Sequence, residues 1–292
     1  MTNLQTGEHV HVDAAGNEFV HSHDHHHKDE HEHHHEHGDG HSHSHSHSHG
    51  HEHSHEHGHS HEHEHGNGHT HSHGSVVSLE HEVLLKNDRL AEQNRGWLEG
   101  RAIRAVNLMS SPGAGKTTLL ERTIRERGSA LNLRVIEGDQ ETTRDGERIR
   151  AAGASVVQIN TGAGCHLDAA MVGRALRQLD PPARSLVMIE NVGNLVCPAM
   201  FDLGEQARAV VASVTEGDDK PAKYPHMFRG ADAVVLNKMD LLPHVQFDVA
   251  AFEKRVHELN PRAKIFRVSA TRGDGLDAWY DWLRDAGEPG KT

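Results

Sequence analysis

The sequence predicts an α/β domain with a mostly parallel central sheet covered by helices on both faces, preceded by a disordered histidine-rich tail. Three observations predict it. Strand-like apolar runs alternate with helix-period stretches through residues 101–288, one such run opens into a glycine-rich turn ending in Lys-Thr, and composition changes abruptly near residue 74. Alternation of this kind requires crossovers, and crossovers place helices over a parallel sheet.

Residues 1–74 come first. They hold all but five of the 33 histidines, and the five outside are His81, His166, His226, His244 and His257. Thirteen acidic residues and one lysine give this segment −12 of the chain's −13 net charge. With many glycines and repeated His-Ser and His-Glu dipeptides, it lacks the apolar surface needed to offset chain entropy, so it reads as disordered. The remainder is nearly neutral, which argues against a basic nucleic-acid-binding face. Neither a secretory signal nor an apolar run of membrane-spanning length is visible, so the expectation is a cytoplasmic protein without membrane contact. Residues 75–100 read as a linker whose stretch 79–100 is a charged amphipathic helix, by default a solvated docking helix.

The domain follows. Strands are expected near 104–110, 132–137, 155–160, 185–191, 209–215, 232–237 and 264–269, and helices near 116–127, 143–152, 166–179, 246–259 and 275–285. The first strand runs into Asn107–Thr118, reading NLMSSPGAGKTT. This is a nucleotide-phosphate cradle: Gly113 and Gly115 let backbone N–H groups converge on an anion, with Ala114 between them and Thr118 in the first helical turn. Lys116 reaches the β/γ oxygens, and the Thr117 hydroxyl holds Mg²⁺. The usual spacing would put a glycine at position 110, where the chain has Ser110; Pro112 stiffens the turn instead.

Carboxylates close two later strands, Glu137-Gly138-Asp139 and Ile189-Glu190. Carboxyl ends of parallel strands face the ligand. Asp139 and Glu190 are therefore expected to approach Mg²⁺ and the γ-phosphate from opposite sides, one acting through the metal and the other positioning water, with the division between them left open. Downstream, Asn237-Lys238-Met239-Asp240 ends an apolar run. Guanine presents N1–H and an N2 amine on one edge, and Asp240 can accept from both. Asn237 would face the other edge of the base and the Lys238 stem would pack on its plane. Ser269-Ala270, after the last strand, is the expected place for backbone contacts. Together these elements favour GTP over ATP.

Two cysteines cannot make a disulfide framework. Cys165-His166 and Cys197-Pro198 each follow a strand by a short loop, and thiolate with imidazole suits Zn²⁺ or Ni²⁺. A closed site needs four ligands, which two copies would supply across a symmetric dimer. The residues alone leave this level with two buried cysteines beside an incidental histidine.

From about Arg101 to Asp285 the stretches SSPGAGKTTLLERT, EGDQETTRD, NTGAGCHLDA, IENVGNLVCPA, EGDDKPAKYP, NKMDLLP and SATRGDG occur in order. In them the chain resembles the HypB family, GTPases that help load nickel into [NiFe]-hydrogenase. The resemblance implies a SIMIBI-class P-loop NTPase fold, slow GTP hydrolysis and a GTP-dependent homodimer. It also implies Cys165, His166 and Cys197 as ligands of an interface Ni²⁺/Zn²⁺ site, with hydrogenase maturation accessory proteins and the hydrogenase large subunit as partners. Lys220 or Lys223 is carried over as reaching toward partner or nucleotide. The family resembles this chain at Ser110.

Some family members carry an N-terminal C-x-x-C-G-C nickel site, whereas no cysteine precedes Cys165 here. The histidine tract is the candidate replacement. Imidazoles at alternate positions, His41, His43, His45, His47 and His49 among them, would store nickel and lose it below about pH 6.5. Two alternatives stand beside this reading. One is a urease-type nickel GTPase, against which Cys197-Pro198-Ala199-Met200 lacks the histidine of a Cys-Pro-x-His motif. The other is a nickel or zinc store with a regulatory GTP domain.

Overall fold

The computed structural model of the chain describes residues 8–12, 18–22, 73–139, 144–162 and 164–285. The histidines His41, His43, His45, His47 and His49, the expected disorder of their segment, and residues 286–288 of the expected domain lie outside the described residues. Two compact units are present, residues 1–67 and 68–292. In the first, β1 (Glu8–Val12) and β2 (Glu18–Ser22) pair antiparallel with Val10 opposite Val20, where the sequence reading expected no strand.

The second unit contains α1 (His73–Gly100), β3 (Arg104–Ser110), α2 (Lys116–Arg127), β4 (Leu133–Asp139), α3 (Arg144–Ala152), β5 (Ser155–Asn160) and α4 (Ala169–Leu179). It continues through β6 (Leu186–Glu190), α5 (Cys197–Met200), β7 (Ala207–Ser213), α6 (Lys220–Lys223), α7 (Pro225–Arg229), β8 (Ala233–Asn237), α8 (Val249–Leu259), β9 (Lys264–Arg267) and α9 (Leu276–Asp285), with a 3₁₀ turn at Met239–His244. The seven strands from β3 to β9 form one parallel sheet in the order β5-β4-β6-β3-β7-β8-β9. Strands β4 to β6 are added on one side of β3 and β7 to β9 on the other, so the crevice at its carboxyl end is where a ligand of such a sheet sits.

Strands buried on both faces read as continuous apolar runs, and Ala233–Asn237 and Leu186–Glu190 are buried throughout. One face of the sheet is covered by Leu119, Leu120 and Ile124 of α2, Ile149 of α3, and Trp279 and Leu283 of α9. Trp279 Nε1 donates to Thr123 Oγ1 at 3.2 Å, which ties α9 to α2. On the other face Leu98 of α1 with Val172 and Leu176 of α4 covers one half, and Phe228, Phe252 and Val256 of α7 and α8 cover the other.

Helix α1 buries Asn87, Ala91, Asn94 and Leu98, a stripe spaced four, three and four, while the intervening residues are mostly exposed. Its approach depends on two glycines. A Cβ on Gly173 would come within 2.5 Å of Asn94 Oδ1, and one on Gly204 would come within 2.5 Å of the Ala91 carbonyl. Among the described residues no helix is long and apolar enough to cross a membrane.

Candidate functional site

Beyond Ser110 the chain turns through Pro112–Gly115 into α2. Gly113 (φ 76°) and Gly115 (φ 95°) adopt the left-handed conformation that side chains resist, and Gly115 caps α2 in that state. The turn lines a cavity of about 580 Å³ together with Lys116, Thr117, Glu137, Asp139 and Glu190. Lys116 Nζ lies 3.3 Å from Glu190 Oε1, and Thr117 Oγ1 donates to that same oxygen at 2.6 Å.

Asp139 and Glu190 therefore meet the loop from neighbouring strands, β4 and β6, on one flank of β3 rather than from opposite sides. Register explains why: Glu137, not Asp139, lies level with Glu190, and Asp139 projects two residues further. The sequence reading passed over Glu137 as a site residue. It is buried, and burial first, then the charges of Glu190, Asp139 and Asp145, push its carboxyl up to about 8 against the pull of Lys116. Glu137 Oε2 and Glu190 Oε2 are both buried without a hydrogen-bond partner. Two orphaned carboxylate oxygens beside a hydroxyl fit a hard, oxygen-seeking cation such as Mg²⁺. Arg148 of α3 also reaches this wall, held by Glu121 through Nε and Nη2 at 3.1 Å each.

On the base side Asn237 has structural partners that the motif does not predict. Asn237 is 1 % exposed, and both ends of its amide are engaged by the protein. Its Nδ2 donates to the Ala114 carbonyl at 3.0 Å and its Oδ1 accepts from the Ala270 N–H at 3.0 Å. A buried amide must satisfy donor and acceptor locally, so Asn237 braces the phosphate loop, while its amide nitrogen keeps a second hydrogen that these two bonds do not use. The Ala270 N–H is thereby taken up, and the Ser269 N–H donates to the Asp274 carbonyl at 3.0 Å. Lys238 stands at φ 60° and donates from Nζ to the Gly113 carbonyl at 2.7 Å, laying its stem along the loop. Asp240 Oδ1 accepts from Ser269 Oγ at 2.6 Å, which orients the carboxylate.

The second cluster assembles as the sequence allowed. One ligand atom from each of Cys165, His166 and Cys197 lies within 4.8 Å of the others, and both cysteines are free thiols. Cys165 and His166 sit in the loop after β5, whose Thr161 N–H donates to the Asp139 carbonyl at 2.9 Å. Cys197 opens α5. The helix expected from residue 166 begins at Ala169, because Asp168 caps it by accepting from Met171 N–H at 2.7 Å and leaves Cys165–Leu167 in the loop. The His166 ring stacks on Phe201 with centroids 3.9 Å apart. Burial lowers the His166 pKa against the opposing charge of Asp168, which favours the neutral, metal-competent ring. The hydrogen bond between Cys197 and Cys165, then burial, raises the pKa of the Cys197 thiol. Two sulfurs and an imidazole suit a borderline divalent metal, and three ligands leave one tetrahedral position to be filled. Among the described residues no other such cluster of His, Cys and carboxylates occurs.

Comparison with known proteins finds relatives across the part of the chain that holds both clusters. The CobW/HypB/UreG nucleotide-binding domain matches residues 104–267. The hydrogenase maturation factor HypB of Azotobacter chroococcum mcd 1 is 54% identical over 208 residues, spanning 71% of this chain and 68% of that protein. HypB of Escherichia coli (strain K12) is 51% identical, spanning 71% and 72%. Among solved structures, HypB from Archaeoglobus fulgidus aligns with a TM-score of 0.65 at 44% identity, over 69% of this chain and 98% of that one. HypB from Helicobacter pylori in complex with nickel gives a TM-score of 0.65 at 39% identity, over 68% and 94%.

Proposed function

The chain belongs to the HypB hydrogenase maturation factors of the CobW/HypB/UreG family, and from that premise we propose that it is a GTP-hydrolysing nickel metallochaperone. It would assist nickel insertion into [NiFe]-hydrogenase as a GTP-dependent homodimer, handing metal to maturation accessory proteins and the hydrogenase large subunit, with the histidine tail as a nickel store. The observation that carries the reading is the presence, in one domain, of a phosphate-loop cavity and a thiol–imidazole triad, with the loop that holds Cys165 tied at Thr161 to the Asp139 carbonyl.

The N–H groups of Gly113–Thr118 cradle the phosphates at the start of α2, and Lys116 exchanges its Glu190 partner for β/γ oxygens when they arrive. Thr117, Asp139 and Glu190 would hold the Mg²⁺ that accompanies the nucleotide and neutralises phosphate charge. Of the two carboxylates, the one freed from the metal orients water. Asp240 selects guanine by accepting from N1–H and N2, while Asn237, Ser269 and Ala270 keep the base loop and phosphate loop in register. Cys165, His166 and Cys197 take nickel, or zinc in its place, as cargo.

The test is a Ni²⁺ titration of the full chain, read by the thiolate-to-nickel charge-transfer band that tail imidazoles do not produce, combined with GTP turnover. Cys165→Ser should abolish the band and leave turnover intact. Lys116→Ala should lower turnover at least about 100-fold and leave the band. A band that survives Cys165→Ser, or turnover indifferent to Lys116, overturns the reading.

A further inference from the structure

A buried chain of side-chain hydrogen bonds begins one residue from Glu190, ends beside the metal triad and belongs to neither site. Asn191 directly follows Glu190, the residue bonded to both Lys116 and Thr117, and is fully buried. Its Oδ1 accepts from the Leu167 N–H at 3.1 Å and the Val192 N–H at 3.0 Å. Its Nδ2 donates to Asn107 Oδ1 at 3.3 Å. Asn107, fully buried in β3, donates in turn to Glu205 Oε1 at 3.3 Å. Glu205 Oε2 accepts from the Leu203 N–H at 2.8 Å, and Arg208 Nε closes on Oε1 at 2.6 Å.

The polarity of this chain is imposed at both ends. A carboxylate paired with Arg208 only accepts and a backbone N–H only donates, so a single orientation of the two asparagine amides satisfies every group. Buried polar groups are costly unless fully paired, and a fully paired network specifies one arrangement of what it touches. What it touches are the Leu167 and Leu203 N–H groups, in the two segments that carry the metal triad and its ring partner. Leu167 adjoins His166. Leu203 lies two residues past Phe201, on which the His166 ring stacks, in the segment that leaves α5 and Cys197. From outside, Asn94 of α1 donates to the Ala169 and Leu203 carbonyls at 2.8 and 2.9 Å, so the two segments keep an independent clasp if the inner chain is cut.

We propose that Asn191 is a positioning residue: it sets the Cys165-His166 loop against Cys197 and makes the spacing of that triad follow the nucleotide-dependent position of Glu190. The inference rests on the metallochaperone reading above. It requires that the backbone shared by Glu190 and Asn191 take one position when Glu190 is bonded to Lys116 and another when Lys116 meets phosphate. By linkage, metal at the triad then alters nucleotide affinity by the same factor.

The experiment uses the full chain as wild type, Asn191→Ala and Asn191→Asp, each with GDP or a non-hydrolysable GTP analogue. Ni²⁺ affinity is read from the thiolate charge-transfer band. Amide exchange at Leu167 and Leu203 is read separately without metal. The wild type is expected to show an affinity ratio between the two nucleotides of at least about five-fold, and exchange at both amides that differs between nucleotides. In Asn191→Ala the ratio falls to one and the nucleotide dependence of exchange disappears, while nucleotide affinity stays near the wild-type value. Asn191→Asp keeps the acceptor for Leu167 but loses the donor to Asn107, so nucleotide dependence should persist at Leu167 and vanish at Leu203. A wild-type ratio in Asn191→Ala overturns the inference alone. So does a variant that loses nucleotide binding as severely as it loses coupling, since that marks a merely structural residue. A wild type without a Cys165-dependent band, or without any nucleotide dependence, overturns the inference by removing the reading beneath it.

Discussion

Glu137 shows how a single buried acid can set the pH response of the empty protein. Its carboxyl is raised to about 8 from an ordinary 4.5, chiefly by burial. Between those values the folded protein holds a proton that the unfolded chain has released, so this group's contribution to stability is fully present below about 4.5 and is lost as pH rises through 8. Without nucleotide or metal, the melting midpoint should therefore fall between pH 5 and 8.5 by more than in Glu137→Gln. The variant should melt several degrees higher at pH 8, at about 2–4 °C per kcal/mol for a domain of this size. Parallel pH curves for the two proteins would refute this. The strand containing Glu137 was readable from its apolar run, but its partnership with Glu190 was not, because sequence carries no lateral register between non-consecutive strands. Asn237 was only partly legible for a related reason. Its motif names a base contact, and burial under the phosphate loop adds the Ala114 and Ala270 partners, which no motif reveals.

At the scale of elements, the boundary of α4 decides whether Cys165 and His166 are free to bind metal. Asp168 stops the helix at Ala169, and a helix begun at residue 166 would have fixed His166 within its first turn. Asp168→Ala should cost about 1 kcal/mol of stability, read as a lower denaturant midpoint at unchanged slope. It should also weaken the thiolate–nickel band while leaving GTP turnover near the wild-type rate, since the cap touches neither Lys116 nor Glu190. An unchanged nickel affinity would mean that the loop holds its shape without the cap. The parallel strands were legible as continuous apolar runs, and the long helices because each repeats its period several times. Helices α5 to α7, of four or five residues, complete barely one turn and leave no periodic trace. Helix α1 was legible as a docking helix, but the roles of Asn87 and Asn94 were not, since polar residues on the buried stripe read as breaks in it.

For the whole molecule the distribution of charge opposes the assembly that the triad invites. Three ligands on one protomer leave a coordination position open, and Val196 (55 %) and Met200 (56 %) stand exposed on either side of Cys197. A second copy brought to that face would complete the metal and cover the apolar pair. The domain, nearly neutral, does not resist such an approach, but residues 1–74 carry −12 of the −13 net charge and each copy brings its own. Like charges on two such segments repel over a Debye length of about 10 Å at 0.1 M salt and much less at 1 M. With Ni²⁺ withheld, dimerisation of the full chain in the presence of a GTP analogue should therefore strengthen with added salt, and a chain lacking residues 1–72 should dimerise more tightly at low salt and show little salt response. Nickel bound by the tail neutralises the same charge, so loading the full chain should mimic both salt and truncation, whereas Cys165→Ser should weaken the loaded dimer alone. Sedimentation across these conditions decides it. A salt response that persists without the tail would place the repulsion in the domains, and equal loaded dimers with and without Cys165 would remove the triad from the interface.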